Sequence, residues 1–388
     1  MPIVNRVADL QPDIQAWRRD IHQHPELLYD VHRTAAFVAD RLREFGCDEV
    51  VTGLGQTGVV GVIQGRKAAG GDIGTIGLRA DMDALPIEEQ TNLPYASKVS
   101  GRMHACGHDG HTAMLLGAAR YLAETRNFGG RAVVIFQPAE EGGAGGAAMV
   151  KDGLMERFGI DQVYGMHNGP GIPIGSFAIR PGPIMASTDD VDINIEGVGG
   201  HAARPHKCID PVLVGAQLIT ALQSIVSRNV DPLDSVVISI CEFHAGCASN
   251  VIPQTAELKG TIRTLTPKVR TLVEKRVREV VAGVAQMSGA RIDLHYKHNY
   301  PVTNNHAAET EIAKQIARQV VGDANVQETP PLMAGEDFAF MLEARPGAFI
   351  FCGNGDSAGL HHPAYDFNDE AIVYGTSYWI KLVETALA

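Results

Sequence analysis

The run Arg131–Gln137, which reads RAVVIFQ, limits the possible folds more than any other segment. A strand with one wet face alternates apolar and polar residues, whereas this run is apolar almost throughout and predicts a strand covered on both faces. Glycine-bounded apolar runs at 58–65 and 75–79, followed by helical spacing between residues 114 and 122, continue the same alternation of strand and helix. The sequence therefore predicts an α/β fold with a mostly parallel central sheet flanked by helices.

A different sequence pattern begins near residue 190, where Val191, Ile193 and Ile195 alternate strictly with polar residues. This period of two predicts a strand with one exposed face. The elements predicted from there are a strand, a helix at 211–228, strands at 235–243 and 254–264, a helix at 268–287 and a strand at 291–298. Their order, βαββαβ, is that of ferredoxin-like domains. We predict an inserted domain at 188–298 within a larger domain formed by 1–187 and 299–388.

Composition narrows the classes of function. The 388 residues carry 33 Lys and Arg against 45 Asp and Glu, a net charge of −12. The negative electrostatic field of such a chain repels phosphate backbones and anionic lipids. We therefore expect no nucleic-acid partner and no membrane partner. The six cysteines form no Cys-x-x-Cys pair, which is typical of a reducing compartment, and we expect a cytoplasmic protein.

The segment 103–111 holds the densest group of chemically active side chains, namely His104, Cys106, His108, Asp109 and His111. Imidazole, thiolate and carboxylate groups bind divalent transition metals. The spacing matches no zinc-finger template. The alternative interpretation is a polar loop whose histidines cap helices and satisfy buried carbonyl groups.

Two carboxylates, Glu140 and Glu141, follow the buried strand and precede a pair of glycines. A metal bound to one acid would offset their repulsion and leave the other to take a proton from bound water. The alternative is a solvated helix start enriched in Glu. His167 lies at the end of another predicted strand, and His361 and His362 lie near the C-terminus. Because strand ends on one sheet edge converge, these groups together predict a metal site.

Three residues of the predicted inserted domain, His201, Asn250 and Arg263, follow or lie on strands. Their side chains can donate hydrogen bonds to an oxyanion and to a carboxylate. Each is also compatible with an ordinary turn or surface role. The sequence alone does not place them beside the metal-ligating residues.

Seven segments match one family pattern in order: 79–86 (RADMDALP), 104–111 (HACGHDGH), 138–141 (PAEE), 199–203 (GGHAA), 250–253 (NVIP), 335–338 (GEDF) and 360–363 (LHHP). Together they resemble the aminoacylase/carboxypeptidase-type metal-dependent amidohydrolases. The subgroup most similar to this chain comprises hippurate hydrolases, bacterial N-acyl-amino-acid amidohydrolases and plant auxin-conjugate hydrolases. The resemblance implies a catalytic domain with two divalent metal ions and an inserted lid and dimerisation domain.

The resemblance also implies a role for individual residues. It assigns the metal ligands to five positions, Cys106, His108, Glu141, His167 and His361. Glu140 would be the general base that activates a metal-bound water. The family pattern is Leu-His-x-Pro, so His362 occupies the variable position and its contribution stays open.

The resemblance implies further roles for residues of the acidic motif and of the inserted domain. Asp81 and Asp83 match a motif that orients the site, and Asp83 is counted with the catalytic residues. A histidine at the position of His201 reaches the partner subunit's site in related dimers and stabilises the oxyanion. Asn250 and Arg263 would hold the substrate carboxylate.

The resulting hypothesis is hydrolysis of N-acyl amino acids by a homodimeric enzyme that uses two ions of Zn, Mn, Co or Ni. A dipeptide or another small amide is an alternative substrate for the same site. A cysteine amidase, with Cys106 activated by His104 or His111, is a different enzyme hypothesis. A non-catalytic metal- or ligand-binding protein on the same scaffold is the alternative outside enzymes, although such a protein has no use for Glu140 beside Glu141.

Overall fold

The structure, a computed structural model, describes residues 4–67, 71 and 73–388. Within this part of the chain the helices are α1 (Asn5–Gln23), α2 (His32–Glu44), α3 (His108–Thr125), α4 (Gly145–Lys151), α5 (Leu154–Phe158), α6 (Pro211–Arg228), α7 (Pro267–Ser288), α8 (Ala307–Val321), α9 (Ala339–Ala344) and α10 (Ile372–Ala386). The strands are β1 (Glu49–Leu54), β2 (Gly58–Gln64), β3 (Thr75–Asp81), β4 (Arg131–Gln137), β5 (Gln162–Pro170), β6 (Phe177–Ala178), β7 (Gly182–Met185), β8 (Ser187–Glu196), β9 (Gly200–His201), β10 (Val236–Ala245), β11 (Val251–Ile252), β12 (Thr255–Thr264), β13 (Arg291–His298), β14 (Thr303–Asn305), β15 (Val326–Gln327) and β16 (Gly347–Gly355).

The larger sheet has eight strands in the order β1-β2-β4-β3-β5-β16-β6-β15. Its central neighbours β4, β3, β5 and β16 are parallel, which confirms the predicted sheet. The strands β1 and β2 at one edge are antiparallel, as is the pairing of β6 with β16. Strand β4 has the predicted bounds, and every residue in it except Arg131 is buried. The edge strands were not anticipated as antiparallel because short apolar runs carry no signal of direction.

Helix α3 is the central helix of the larger domain. It packs against β3 and is covered by α1 and α10, and small or apolar side chains surround it, as expected for a helix buried all round. Gly117 permits the close approach of α1, since a Cβ there would lie 2.4 Å from the side chain of Ile14. Among the described residues, no helix, α3 included, has both the length and the hydropathy needed to cross a membrane.

Helix α1 carries two charged side chains, Arg18 and His22, into the interior, where neither is exposed. Arg18 forms an ion pair of 2.7 Å with Asp369. The His22 ring lies 2.8 Å from a carboxylate oxygen of Asp109 through Nδ1 and 3.3 Å from one of Glu89 through Nε2. Burial by itself lowers the pKa of His22, but these carboxylates reverse the effect and raise it to about 9. The interior of this domain therefore contains a charged histidine that is paired with two carboxylates and is not one of the candidate metal ligands.

The smaller sheet has the order β10-β12-β8-β13, and every pairing in it is antiparallel. Helices α6 and α7 pack on one face. Val191, Ile193 and Ile195 of β8 are buried in the core that the sheet shares with these helices, while the residues between them are exposed. Burying each such side chain stabilises the fold by about 1.5–3 kcal/mol. The predicted βαββαβ order is confirmed.

Local sequence explains where the two helices of this unit begin. The carboxylate of Asp210 accepts a hydrogen bond from the backbone N–H of Val212 at 2.9 Å, and the hydroxyl of Thr266 accepts one from Val269 at 3.2 Å. A proline follows each of these caps, a position where its missing N–H costs no helical hydrogen bond. Each cap is worth about 1 kcal/mol.

The contacts along the chain group it into two compact units. One unit contains Met1–Ile184, Asn304–Pro330 and Asp337–Ala388, and the other contains Met185–Thr303 and Pro331–Glu336. The grouping adds a short segment, Pro331–Glu336, that the sequence did not indicate. The domain bounds 1–187, 188–298 and 299–388 stay a prediction.

Candidate metal centre

The candidate ligands lie around the carboxyl ends of the four central parallel strands. Glu140 and Glu141 follow β4, His167 lies within β5, and His361 lies in the loop after β16. Cys106 lies just before α3, and His108 is the first residue of α3. Parallel neighbours end at the same edge of a sheet, so the topology brings together residues that are up to 255 positions apart in sequence, from Cys106 to His361.

The ligand atoms are close to one another. Sγ of Cys106 lies 3.4 Å from Nε2 of His167, and Nε2 of His361 lies 3.2 Å from Oε1 of Glu141. Nε2 of His108 is 3.9 Å from the same carboxylate oxygen. Cys106 belongs to two groups of three residues whose ligand atoms all lie within 4.8 Å of one another. One group contains His108 and His167, and the other contains Glu141 and His361. All five predicted ligands are therefore brought together.

Two histidines direct Nε2 toward this space. The backbone carbonyl of Asp83 accepts from Nδ1 of His108 at 2.8 Å, and the carbonyl of Asn168 accepts from Nδ1 of His167 at 2.7 Å. Since a carbonyl oxygen only accepts, Nδ1 carries a proton in both rings, and Nε2 is the nitrogen that remains to bind a metal. The neutral ring with its proton on Nδ1 is the tautomer that such a ligand requires.

Buried ligand atoms that form no hydrogen bond provide a direct test of whether a metal fits. Nε2 of His108 and Oε1 of Glu141 are such atoms, and their neighbours are charged groups, with Asp81 3.6 Å from the first and His361 3.2 Å from the second. A buried polar atom left in this state costs about 1–3 kcal/mol. Thiolate, imidazole and carboxylate ligands match the preferences of borderline divalent ions such as Zn²⁺. The donor set therefore fits divalent transition ions.

Glu140 is 7% exposed, and the turn that carries it is held by Asp83. The two oxygens of the Asp83 carboxylate accept hydrogen bonds from the backbone N–H groups of Glu140 at 3.0 Å and Glu141 at 3.1 Å. Ala139, directly before this pair, adopts a left-handed backbone with φ of 55°. The contacts of Asp83 are those of a residue that positions the turn.

His361 also adopts a left-handed backbone, with φ of 64°, and its N–H donates to the carbonyl of Ala105 at 2.8 Å. This bond joins the loop after β16 to the segment that contains Cys106. The neighbouring His362 is exposed, and its Nδ1 accepts from the backbone N–H of Ala364 at 3.0 Å. His362 therefore stabilises a local turn.

The charges at the site explain why a free thiolate is disfavoured. Burial, and then the carboxylates of Glu141 and Glu140, raise the pKa of the Cys106 thiol well above its usual range. Burial lowers the pKa of His108, but Asp81, Asp83 and Glu141 outweigh it and raise the value to about 10. The site has an excess of negative groups, which a bound cation would balance.

The structure separates His111 and His104 from the ligand set. Nδ1 of His111 lies 2.7 Å from a carboxylate oxygen of Asp81, and its Nε2 accepts from the backbone N–H of Asn168 at 2.9 Å. Both ring nitrogens of His111 are thus in use. His104 is buried with no hydrogen bond to either nitrogen, and burial lowers its pKa to about 3. Residue type alone gave no means to separate these two histidines from His108.

The sequence also missed a buried network beneath the ligands. Arg79 donates to Asp81 at 2.7 Å and to Asp337 at 2.9 Å, and all three side chains are fully buried. Arg79 and Asp337 belong to two of the motifs that carry the family resemblance. The motif match was the available signal, but it did not indicate that the two motifs meet.

In the smaller unit, the structure brings His201 and Asn250 together. His201 pairs with Val251 in the ladder between β9 and β11, and the carbonyl of Asn250 accepts from the N–H of Ala202 at 3.0 Å. Nδ1 of His201 accepts from the N–H of Ala203 at 3.1 Å, so its proton resides on Nε2. The exposed ring therefore offers an N–H donor.

Arg263 lies elsewhere in the same unit. It pairs with Thr188 near the start of β8, whereas β9, with His201, follows the other end of β8 at Glu196. Eight residues of strand at about 3.3 Å each separate Thr188 from Glu196, which is about 26 Å. Within one chain, Arg263 and His201 lie toward opposite ends of the smaller sheet. Burial lowers the pKa of the half-buried Arg263.

The protein has an α/β fold, and its candidate metal ligands converge at the carboxyl edge of the central sheet. The profile of peptidase family M20/M25/M40 matches residues 77–385, and the chain belongs to this family. It is accordingly a hydrolytic enzyme that acts on amide bonds.

Individual relatives cover the chain almost completely. A hippurate hydrolase from Campylobacter jejuni is 45% identical over 386 residues, with 98% of each chain covered. An N-acetyl-L-cysteine deacetylase from Bacillus subtilis is 41% identical over 368 residues, covering 95% of this chain and 86% of the relative. A solved structure from Bacillus subtilis, described as a dinuclear metal-binding peptidase of family M20, superposes with a TM-score of 0.84 at 34% identity, covering 98% of this chain and 99% of that one.

Proposed function

We propose that this protein hydrolyses the amide bond of N-acyl amino acids and releases a carboxylic acid and a free amino acid. The observation that carries the proposal is the convergence of five ligand-type side chains, two of which hold buried ligand atoms with no hydrogen bond, and Glu140 lies beside them. The five are Cys106, His108, Glu141, His167 and His361. Hydrolysis of hippurate and of N-acetylcysteine by relatives at 45% and 41% identity supports this substrate class.

Cys106, His108, Glu141, His167 and His361 would hold two divalent ions. When bound, the ions supply Lewis acidity and lower the pKa of water toward neutrality. A relative described as dinuclear supports the number of ions. Zinc, manganese, cobalt and nickel all suit this donor set.

Glu140 is the proposed general base. Its carboxylate takes a proton from the attacking water and delivers it to the nitrogen of the leaving amine. The backbone N–H groups of Glu140 and Glu141 donate to the carboxylate of Asp83 and so hold the turn that carries this side chain. General acid–base catalysis of this kind contributes about 10²–10⁴-fold to the rate.

His201 is the proposed oxyanion donor, because the backbone bond to its Nδ1 leaves Nε2–H available. One such donor contributes about 10²–10³-fold. Asn250 and Arg263 would bind the substrate carboxylate. The separation of His201 from Arg263 along β8 supports a site that receives these residues from two subunits of a homodimer.

An open strand edge supports the dimer. β10 pairs with β12 on one side only among the described residues, and its last five residues are exposed. Phe243 on this strand packs against Gly215 of α6, whose neighbours Val212 and Leu213 are 40% and 57% exposed. An open edge beside an apolar helix face suits pairing with a second copy of the chain.

The experiment that tests the proposal measures amino-acid release from N-acetyl-, N-benzoyl- and indoleacetyl-amino acids and from dipeptides. The protein is assayed after loading with Mn²⁺ or Zn²⁺, with and without a chelator. We expect release that the chelator abolishes and metal restores. Release that ignores the chelator would instead support Cys106 as a nucleophile, and absence of release would support a binding protein. The cytoplasmic location stays a prediction.

A further inference from the structure

The side-chain amide of Asn168 occupies the junction between two candidate ligands. Its Nδ2 donates to the backbone carbonyl of Cys106 at 2.6 Å. The backbone carbonyl of Asn168 accepts from Nδ1 of His167 at 2.7 Å. Asn168 thus contacts the chain of one ligand and the ring of another, and the ligand atoms Sγ and Nε2 of these two residues lie 3.4 Å apart.

Three groups fix the orientation of this amide. The carbonyl of Cys106 only accepts, so the nearer amide atom is the nitrogen. The hydroxyl of Tyr365 donates to Oδ1 at 2.8 Å, and Nδ2 lies 3.0 Å from Nε2 of His111. Every polar atom of the Asn168 side chain therefore has a partner, and a flip of the amide would break all three contacts.

His111 acts as the acceptor for Asn168 because Asp81 determines its tautomer. The backbone N–H of Asn168 can only donate, so Nε2 of His111 is unprotonated and Nδ1–H donates to Asp81 at 2.7 Å. Asp81 in turn accepts from Arg79, whose guanidinium also bonds Gln137 and Asp337. A continuous set of buried hydrogen bonds thus runs from Asp337 to the Cys106 carbonyl.

Packing leaves the amide no room to move. A Cβ at Gly107, which has φ of 89°, would lie 2.3 Å from Nδ2 of Asn168 and 2.5 Å from the hydroxyl of Tyr365. The glycine between Cys106 and His108 therefore allows the amide to lie directly against the backbone of the ligand segment.

We propose that Asn168 is a positioning residue that sets the separation of the Cys106 and His167 ligand atoms, and that His111 holds Asn168 in place. The inference rests on the proposed metal site. It assigns His111, one of the four His and Cys side chains in the segment 104–111, to the support of the ligands. Loss of partners that orient metal ligands weakens metal binding by about 10–100-fold.

Two substitutions of His111 separate positioning from simple packing. Glutamine places its terminal amide near the position of Nε2 and retains an acceptor for Asn168, whereas asparagine places its amide near Nδ1 and retains only the bond to Asp81. We expect His111→Gln to keep the wild-type affinity for Co²⁺. We expect His111→Asn and Asn168→Asp to bind one Co²⁺ about 10–100-fold more weakly.

The measurement is a Co²⁺ titration of the full-length protein, followed through the thiolate-to-cobalt absorption band that Cys106 produces, with the melting temperature recorded in parallel. Asn305→Asp is the matched control, because Asn305 is also buried and donates to the carbonyls of Arg180 and Phe349. Asn305→Asp should have a lower melting temperature than the wild type and should keep the wild-type Co²⁺ affinity and absorption band. If the His111 variants fail to fold, Tyr365→Phe removes one bond to Asn168 without a change in volume and should still weaken and shift the band.

Wild-type Co²⁺ binding in His111→Asn, Asn168→Asp and Tyr365→Phe would overturn the inference and leave the proposed function intact. Equal weakening in His111→Gln and His111→Asn would overturn the assignment of Nε2 as the group that matters. A wild-type protein that binds no Co²⁺ would overturn the proposed function and this inference together.

Discussion

Arg79 and Asp337 are 258 positions apart in sequence and meet in a fully buried ion pair of 2.9 Å. The guanidinium of Arg79 also donates a hydrogen bond to the carboxylate of Asp81 at 2.7 Å. The carboxylate of Asp337 accepts from the N–H of Gly146 at the start of α4 at 2.8 Å. Arg79 thus pairs with two buried acids and connects β3 to the segments after β4 and before α9.

Replacing Arg79 by Met is expected to destabilise the protein by about 3–5 kcal/mol, because it removes the guanidinium that pairs with two buried carboxylates. Denaturant unfolding of the two proteins measures the difference. Arg43→Met is the matched control, since Arg43 pairs with Asp40 at 2.9 Å on the exposed side of α2 and should contribute less than about 1 kcal/mol. Equal losses of unfolding free energy in the two variants would show that burial does not increase the contribution of the ion pair.

Replacing Glu140 by Gln is expected to lower kcat by about 10²–10⁴-fold while metal content stays at the wild-type level, because the amide cannot accept the proton. Amino-acid release and metal analysis of the same preparation provide the two readouts. Glu311→Gln, on the exposed face of α8, should change neither. Near-normal turnover in Glu140→Gln would show that another group is the base.

Mixing Glu140→Gln with His201→Ala should restore activity that each variant lacks alone. If His201 acts in the partner's site, a mixed dimer has one site with both an intact base and an intact donor. Random reassortment places half of the subunits in mixed dimers, so about a quarter of wild-type activity should return. The variants are mixed after mild dissociation and assayed with each alone as control. Failure to complement, with mixed dimers demonstrated by two affinity tags, would place His201 in its own subunit's site.

The stability contributed by His22 should depend on pH. Its folded pKa of about 9 lies above the usual value of about 6.5. The contribution, on the order of 3 kcal/mol, is therefore complete below about pH 6.5 and disappears as the pH rises through about 9. Unfolding free energies at pH 6 and pH 9.5 for the wild type and His22→Gln, in the same metal state, isolate this effect. A gap between the proteins that does not shrink at high pH would contradict it.

The sequence predicted most regular elements because their patterns are local. Continuous apolar residues identified β4, and strict alternation identified β8, whose burial follows the predicted period. Helices α6 and α7 begin at prolines that follow capping residues, so their starts could be placed within a residue. The very short strands β6 and β15 carry no pattern of their own. They form because the rest of the sheet provides an edge with which to pair.

The candidate site was predictable in part. The residue types of Cys106, Glu140 and Glu141 indicated the chemistry, and the family resemblance selected five ligand positions that the structure brings together. The function of a histidine depends on what its second nitrogen contacts. His108 and His111 both use Nδ1 in a hydrogen bond, but Nε2 of His111 accepts from Asn168 whereas Nε2 of His108 forms no hydrogen bond. The partner that distinguishes them, Asn168, lies on β5.

The left-handed backbone at Ala139 and at His361 has a consequence for how this enzyme can change over time. A residue with a side chain adopts that conformation at a cost of about 1–2 kcal/mol. Ala139 directly precedes Glu140, so glycine there would relieve the cost and also release the turn that carries Glu140, whereas glycine at position 361 would remove the proposed ligand itself. Variants selected only for thermal stability would therefore drift toward a looser and slower catalyst at position 139, while position 361 stays fixed by the metal site.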